Sequence, residues 1–271
     1  LCTNNVYAQS EIKDFLGRDL KINKHVSRIL SLTPATTEIL YKLGLEKKIV
    51  GVTEDCNYPA QAKKKPSVGK FGFINLEKIV SLKPDIIFAT YDMKKQLDIL
   101  KKYNVPLIAL KTDNIDSIIN NINMVGKITN SQKQASIIEK DFKNRLNKVK
   151  EKSKSSKKHT VFYCIWHDPL ITAGSQSFIG DMIKIAGGVN IADEIKSSFA
   201  KYSIESLISK NPDYIVVPES TYKKINFNLS PWSKLKAIKN KNYFSVNDDL
   251  YLRPAPRIID AIEDLQKRIL K

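Results

Sequence analysis

Two stretches of this chain repeat one another. NLEKIVSLKPDIIFA at 75–89 aligns without a gap to SIESLISKNPDYIVV at 203–217. Glu77 falls on Glu205, Ser81 on Ser209, Pro84-Asp85 on Pro212-Asp213 and Ile87 on Ile215. In each copy a short helix carries a glutamate in its first turn, where the positive end of the helix dipole favours an anion. It stops before a Pro-Asp that turns into a buried strand. Such punctuation is ordinary in α/β chains, but four matched features at one constant offset favour a duplication, so the chain reads as two similar lobes.

The sequence around the repeats has a β-α-β rhythm. Short apolar runs at 28–32, 49–53, 85–89 and 105–110 read as strands and alternate with helical patterns at 36–43 and 93–103. The second half continues with strands at 160–165, 214–217 and 243–246 and helices around 178–186, 204–210 and 256–270. Near-continuous apolar strands joined by helical crossovers imply parallel sheets covered on both faces. Between 131 and 158 the rhythm stops, and Ala135, Ile138, Phe142 and Val149 fall on one stripe of a lysine-rich helix. About 23 residues at ~1.5 Å each make a strut of about 34 Å, the width of a small domain. The expected fold is therefore α/β: two Rossmann-like lobes with parallel-rich central sheets, 1–128 and 158–271, joined by one long rigid helix at 129–157.

Composition limits the function. With 271 residues, 42% of them hydrophobic, the chain can bury a full core, and no apolar run reaches the ~18 residues of a membrane span. Lys and Arg number 45 against 28 Asp and Glu, a formal charge of +17. The lysines are scattered over helix faces and turns, which argues for a solvated basic surface rather than a nucleic-acid groove and is compatible with work near anionic lipid. Cys2, Cys56 and Cys164 form no CxxC or zinc spacing. Cys56 and Cys164 fall in different lobes and are expected to be free thiols. Cys2 admits two readings: the lipidated cysteine of an exported lipoprotein with the polar TNN as tether, or the incidental start of a truncated chain. Leu1 before it is a poor match to the small residue expected there.

Catalytic equipment is sparse. There is no P-loop, GxGxxG or GxSxG, and His25, His159 and His167 lie far apart without a metal-ligand pattern. His167-Asp168 is the one suggestive pair, and a turn capped by its own aspartate explains it better than a base with an orienting carboxylate. No catalytic residue, intrinsic cofactor or metal site is expected, although an amide or ester hydrolase using that pair is the rival from another class. The loops offer aromatic surface instead: Phe71-Gly-Phe73, Trp166, Phe199 and Tyr202, then Trp232 and Tyr251. A cleft between two lobes is where a ligand would cover such rings, and for Trp232, at a helix start, core packing is preferred. Asp249 and Arg253 lie four apart across a proline-rich turn, either paired or both facing a cleft, and together would bind an amide-rich ligand as acceptor and donor.

Several of these motifs resemble the helical-backbone (class III) substrate-binding proteins of ABC importers, within them the cobalamin-binding periplasmic members. They are RILSLTPATTEILYKLG at 28–44, VGVT at 50–53 with Asn57-Tyr-Pro59, Val68-Gly69 leading into the first repeat, WHDPLITAG at 166–174, 178–188 with Asn190-Ile191, and RPAPRII at 253–259. The resemblance runs from about Asp14 to the end of the chain. It implies that Phe71 and Phe199 stand where the family has cleft tryptophans, one from each lobe, and apolar burial of a ligand is expected from these two together with Trp166. It also implies that Asp249 and Arg253 contact the corrin side-chain amides. Tyr58 is carried over from the family's cleft tyrosine, which Asp55 displaces in this stretch. Glu77 and Glu205 match the surface pair that docks onto arginines of the transmembrane permease dimer. The resemblance thus implies a monomeric, periplasmic or extracytoplasmic protein, lipid-anchored if Cys2 is modified and with no other membrane contact, that carries cobalamin or another corrinoid between its lobes. Haem or a ferric siderophore is the alternative cargo on the same fold; haem would want an axial Tyr, His or Met, and a siderophore more arginines than Arg253 and Arg257.

Overall fold

The computed structural model describes residues 10–14, 17, 19–22, 25–101 and 105–271. Cys2, and with it the lipidation reading, lies outside the described residues. The chain forms two compact units. One comprises the described residues as far as Thr112 together with Ile118–Lys140, the other Asp113–Ser117 together with Asp141–Lys271.

The first unit opens with a hairpin of β1 (Ser10–Lys13) and β2 (Asp19–Ile22). Its core is an all-parallel sheet ordered β4 (Ile49–Val52), β3 (Ile29–Ser31), β7 (Ile86–Thr90), β8 (Leu107–Leu110). Every residue of β3, β7 and β8 is buried, which is why these strands read as unbroken apolar runs rather than as alternation. Between β3 and β4 runs α1 (Pro34–Lys42), capped by the Thr33 hydroxyl, which accepts from the Thr36 N–H, with proline at its first position. The minor hairpin β5 (Gly69–Lys70) and β6 (Phe73–Ile74) precedes α2 (Leu76–Ser81). The helices α3 (Lys94–Leu100) and α4 (Ile115–Ile128) flank β8 in sequence.

The lysine-rich stretch forms α5 (Gln132–Lys154), 23 residues long, whose stripe Ala135, Ile138, Phe142, Leu146 and Val149 is buried along its length. Its residues to Lys140 group with the first unit and those from Asp141 with the second.

The second unit has a mixed sheet containing β9 (His159–His167), β10 (Leu170–Ala173), β11 (Gly188–Asn190), β12 (Phe199–Lys201), β13 (Tyr214–Pro218) and β14 (Tyr243–Val246). Its path runs β12-β10-β9-β13-β14, with β11 also on β9. The strands β9, β11, β13 and β14 pair in parallel; β10 and β12 are antiparallel additions on one edge. Those two strands escape a sequence reading because LITA and FAK are too short to show a period. The helices are α6 (Phe178–Ile185), α7 (Ile204–Lys210), α8 (Glu219–Tyr222), α9 (Lys236–Lys239), α10 (Asp248–Tyr251) and α11 (Ile258–Ile269). Trp232 is 7% exposed and packs edge-on against Phe227, so it is a core anchor as expected. Tyr202 and Tyr251, offered above as surface rings, are buried instead, their hydroxyls donating to the Ile191 carbonyl at 3.3 Å and to Asp264 at 2.6 Å.

The repeat extends to its hydrogen bonds. Asp85 accepts from the Ser27 N–H, the Ser27 hydroxyl and the Arg28 N–H at 2.8–2.9 Å, tying β7 to the start of β3. Asp213 accepts from the Thr160 N–H and hydroxyl at 2.8 Å, tying β13 to the start of β9, and pairs with Lys236 at 2.9 Å. Before each Pro-Asp the helix ends in a left-handed residue, Lys83 at φ 43° and Asn211 at φ 40°. Partial burial pushes the Asp213 carboxyl up, but the Thr160 and Lys236 donors prevail and hold it at about 2. Its ionised form thus stabilises the fold fully above the ordinary carboxylate range, and that contribution is lost as pH falls from about 4 towards 2. Asp213→Ala is expected to lower stability by about 2 kcal/mol at pH 7, roughly the value of the lost charge-assisted bonds. Urea unfolding at pH 7 and pH 2.5 checks this: the gap between variant and parent narrows at the lower pH.

Candidate functional site: exposed rings on each unit

On the first unit, Phe71 and Gly72 form the two-residue turn between β5 and β6, because Lys70 pairs directly with Phe73. Phe71 is 46% exposed and Phe73 is 81% exposed. A ring held out of the core needs a fixed backbone beneath it. Here Asp55 accepts from the Phe71 N–H at 2.7 Å, and Gln96 donates to the Gly72 carbonyl at 2.6 Å. Gly72 takes φ +80° and Gly69 φ +113°, the left-handed region open to glycine. Asp55, noted above as displacing a tyrosine, thus braces the Phe71 turn. Tyr58, on the same unit, is half-exposed beside Pro59.

On the second unit, the register sets Trp166 of β9 opposite Ile171 of β10, and Phe199 of β12 opposite Ala173. Ile171 and Ala173 are two apart on β10, so the register places Trp166 and Phe199 on one face of the sheet. Two strand spacings and a two-residue offset put their backbones about 12 Å apart. Phe199 is half-exposed. The Trp166 indole N–H donates to the Asp168 carbonyl at 2.6 Å, and the Lys224 ammonium sits 4.0 Å from the ring centroid, a cation–π contact.

Phe71 and Phe199 occupy corresponding places in the repeat, each four residues before a helix N-cap, Asn75 and Ser203 respectively. Their local settings differ, since Phe71 sits in the β5–β6 turn and Phe199 in strand β12.

The Asp248-Asp249 turn forms α10, capped by the Asn247 side chain, which accepts from the Leu250 N–H at 3.0 Å. Buried Tyr251 anchors the helix to Asp264, and Asp248 accepts from the Ser220 N–H at the start of α8. Asp249 and Arg253 pair at 2.5 Å, the arginine side chain 14% and the aspartate side chain 42% exposed. The pair therefore presents a carboxylate whose partner is largely sunk in the protein.

His167 and Asp168 stand at the β9-β10 turn. The His167 Nδ1 is buried without a hydrogen-bond partner, so no carboxylate orients the ring through that nitrogen. No group of three or more His, Cys, Asp or Glu among the described residues is placed to hold a metal ion. Cys56 and Cys164 are buried free thiols, and burial pushes Cys164 up to about 12.

Glu77 and Glu205 are both exposed and both second in their helices, after the Asn75 and Ser203 caps. The Glu205 carboxyl is held below its ordinary value by its own backbone N–H and by the Ser203 hydroxyl at 2.9 Å. Lys224 escaped the sequence reading, which named Phe73 only as the second ring of Phe71-Gly-Phe73.

Two α/β units with mostly parallel sheets, a long helix whose residues divide between them and half-exposed rings on each unit fit a solute-binding protein. The family described as periplasmic binding protein matches residues 29–250, and the chain belongs to it. Among its relatives, the ABC transporter substrate-binding lipoprotein YvrC of Bacillus subtilis is 32% identical over 267 residues, 95% of this chain and 84% of that protein. The vitamin B12-binding protein of Vibrio vulnificus is 31% identical over 243 residues, 89% of each. The crystal structure of the periplasmic vitamin B12-binding protein BtuF of Vibrio cholerae superposes with a TM-score of 0.82 at 29% identity, covering 90% of this chain and 97% of that one.

Proposed function

We propose that this protein is the extracytoplasmic binding component of an ABC importer, which captures cobalamin or a related corrinoid and delivers it to the transmembrane permease. The observation that carries the reading is the likeness, over nine-tenths of the chain, to proteins that bind vitamin B12. The local geometry agrees with it. A corrinoid offers a broad apolar ring system rimmed by amides; Phe71 and Tyr58 on one unit and Trp166 and Phe199 on the other supply apolar contact, and Asp249 and Arg253 supply an acceptor and donors for the rim. The corrinoid is cargo rather than cofactor, the protein acts as a monomer, and a lipid on Cys2 would be its membrane tether.

Removing the Asp249 carboxylate takes away a rim acceptor and leaves the largely buried Arg253 without its close partner. Asp249→Ala is expected to weaken cyanocobalamin binding about tenfold, the cost of one charge-assisted hydrogen bond. Equilibrium dialysis checks it, and an unchanged affinity removes Asp249 from the site.

Delivery rests on Glu77 and Glu205, an exposed pair that a two-fold permease can read with two equivalent cationic patches. Reversing both, Glu77→Lys with Glu205→Lys, should leave ligand affinity intact and abolish uptake in cells that depend on this importer. Uptake retained by the double variant refutes the docking role.

A further inference from the structure

A different part of the second unit carries unassigned chemistry. A concavity of about 430 Å³ is walled by Lys150, Lys154, Lys158 and Lys184 beside Asp116 and Asp181. Lys150 and Lys154 are one turn apart on α5, and Asp181 and Lys184 one turn apart on α6.

The carboxylates do not cancel the ammonium groups. Asp181 is committed to accepting from the Ile115 N–H at the start of α4 at 2.9 Å. Burial, with Asp116 close by, raises its pKa despite that bond, and four ammonium groups outnumber the two carboxylates of the wall. At the floor, the Ser153 hydroxyl donates to the Val149 and Ile185 carbonyls and accepts from Gln266 at 2.8 Å, leaving it no spare donor. Lys158 donates to the Ser153 carbonyl at 3.1 Å, and Lys154 pairs with Glu151 in a bridge whose side chains are 71% and 69% exposed. An ion pair that exposed holds its partners weakly. The ammonium groups of Lys150 and Lys184 make no hydrogen bond or ion pair among the described residues and act on Asp181 only through space. The surrounding stretch 132–158 holds ten Lys and Arg against three Asp and Glu, so the field of the whole helix reinforces the pocket.

We propose that this concavity binds a phosphate group, supplied either by an anionic phospholipid headgroup or by a soluble phosphate. Lysines suit such a ligand because each ammonium is a mobile point charge with three donors, able to converge on an oxygen-rich anion. None of the residues that line it is one of the rings or belongs to the Asp249–Arg253 pair, and nothing in the corrinoid reading requires it.

The test uses the full chain and two probes. Cosedimentation with vesicles of phosphatidylglycerol in phosphatidylcholine is compared with pure phosphatidylcholine at low salt, and pyrophosphate is titrated with ³¹P NMR detection. Lys150→Glu with Lys184→Glu should cut partition into the anionic vesicles, or the affinity for pyrophosphate, about tenfold. Lys133→Glu with Lys140→Glu, an equal charge change elsewhere on α5, should cut it far less, and arginine at 150 and 184 should preserve binding. Thermal melting establishes that the variants fold. Pocket-dependent vesicle binding assigns the phosphate to lipid, and pocket-dependent pyrophosphate binding without vesicle retention assigns it to a soluble source. Equal losses from the two charge-reversed pairs, or no response to either probe, overturn the proposal.

Discussion

Gly69→Ala is expected to destabilise the first unit by about 3 kcal/mol and to weaken corrinoid binding in the fraction that folds. The strand β5 reaches its turn through φ +113° at Gly69, and an added Cβ would stand 2.3 Å from the Phe73 carbonyl oxygen and 3.2 Å from the Ile74 Cα. Both neighbours are backbone, so a rotamer change cannot relieve the clash. The hairpin must shift, at the cost of a strained residue plus the bonds it disturbs, among them the Glu54 N–H to the Gly69 carbonyl at 2.8 Å. That hairpin carries Phe71 and Phe73, so stability and ligand affinity should fall together. Urea unfolding beside a ligand titration measures both, and a variant as stable as its parent contradicts the account of the turn.

The second large effect separates binding from folding. Phe71→Ala combined with Phe199→Ala should lower corrinoid affinity about 100-fold, since each lost ring surrenders roughly 1–2 kcal/mol of stacking and apolar burial. At 46% and 50% exposure these rings contribute little to either core, so the melting temperature should stay within about two degrees of the parent. Tryptophan at both positions should restore or exceed the original affinity. A double variant that binds as tightly as the parent removes the rings from the site; one that unfolds shows that they serve the core instead.

Much of this architecture was legible because duplication and parallel strands leave strong local marks. The matched Pro-Asp pairs were visible as letters, and the structure gives them one physical task, holding the start of the neighbouring strand through Ser27 and Arg28 in one unit and Thr160 in the other. The stripe of α5 was visible because a buried helix face must repeat near every 3.6 residues. Strands β10 and β12 were not, since three or four residues carry no period and their pairing is set by tertiary register. Part of the ring inventory was ambiguous for a related reason. An aromatic residue beside a loop is equally at home facing in or out, and only packing separates exposed Phe199 from buried Tyr202 three residues later. The lysine concavity was hidden because charges scattered along the sequence converge only when α5 and α6 pack.

The central claim is the identity of the cargo, and calorimetric titration with cyanocobalamin and dicyanocobinamide, haemin serving as control, tests it most directly. Saturable one-to-one binding of a corrinoid, weakened by Asp249→Ala and by loss of Phe71, is the predicted result. A folded protein that gives no heat with either corrinoid but binds haemin at one site would contradict it.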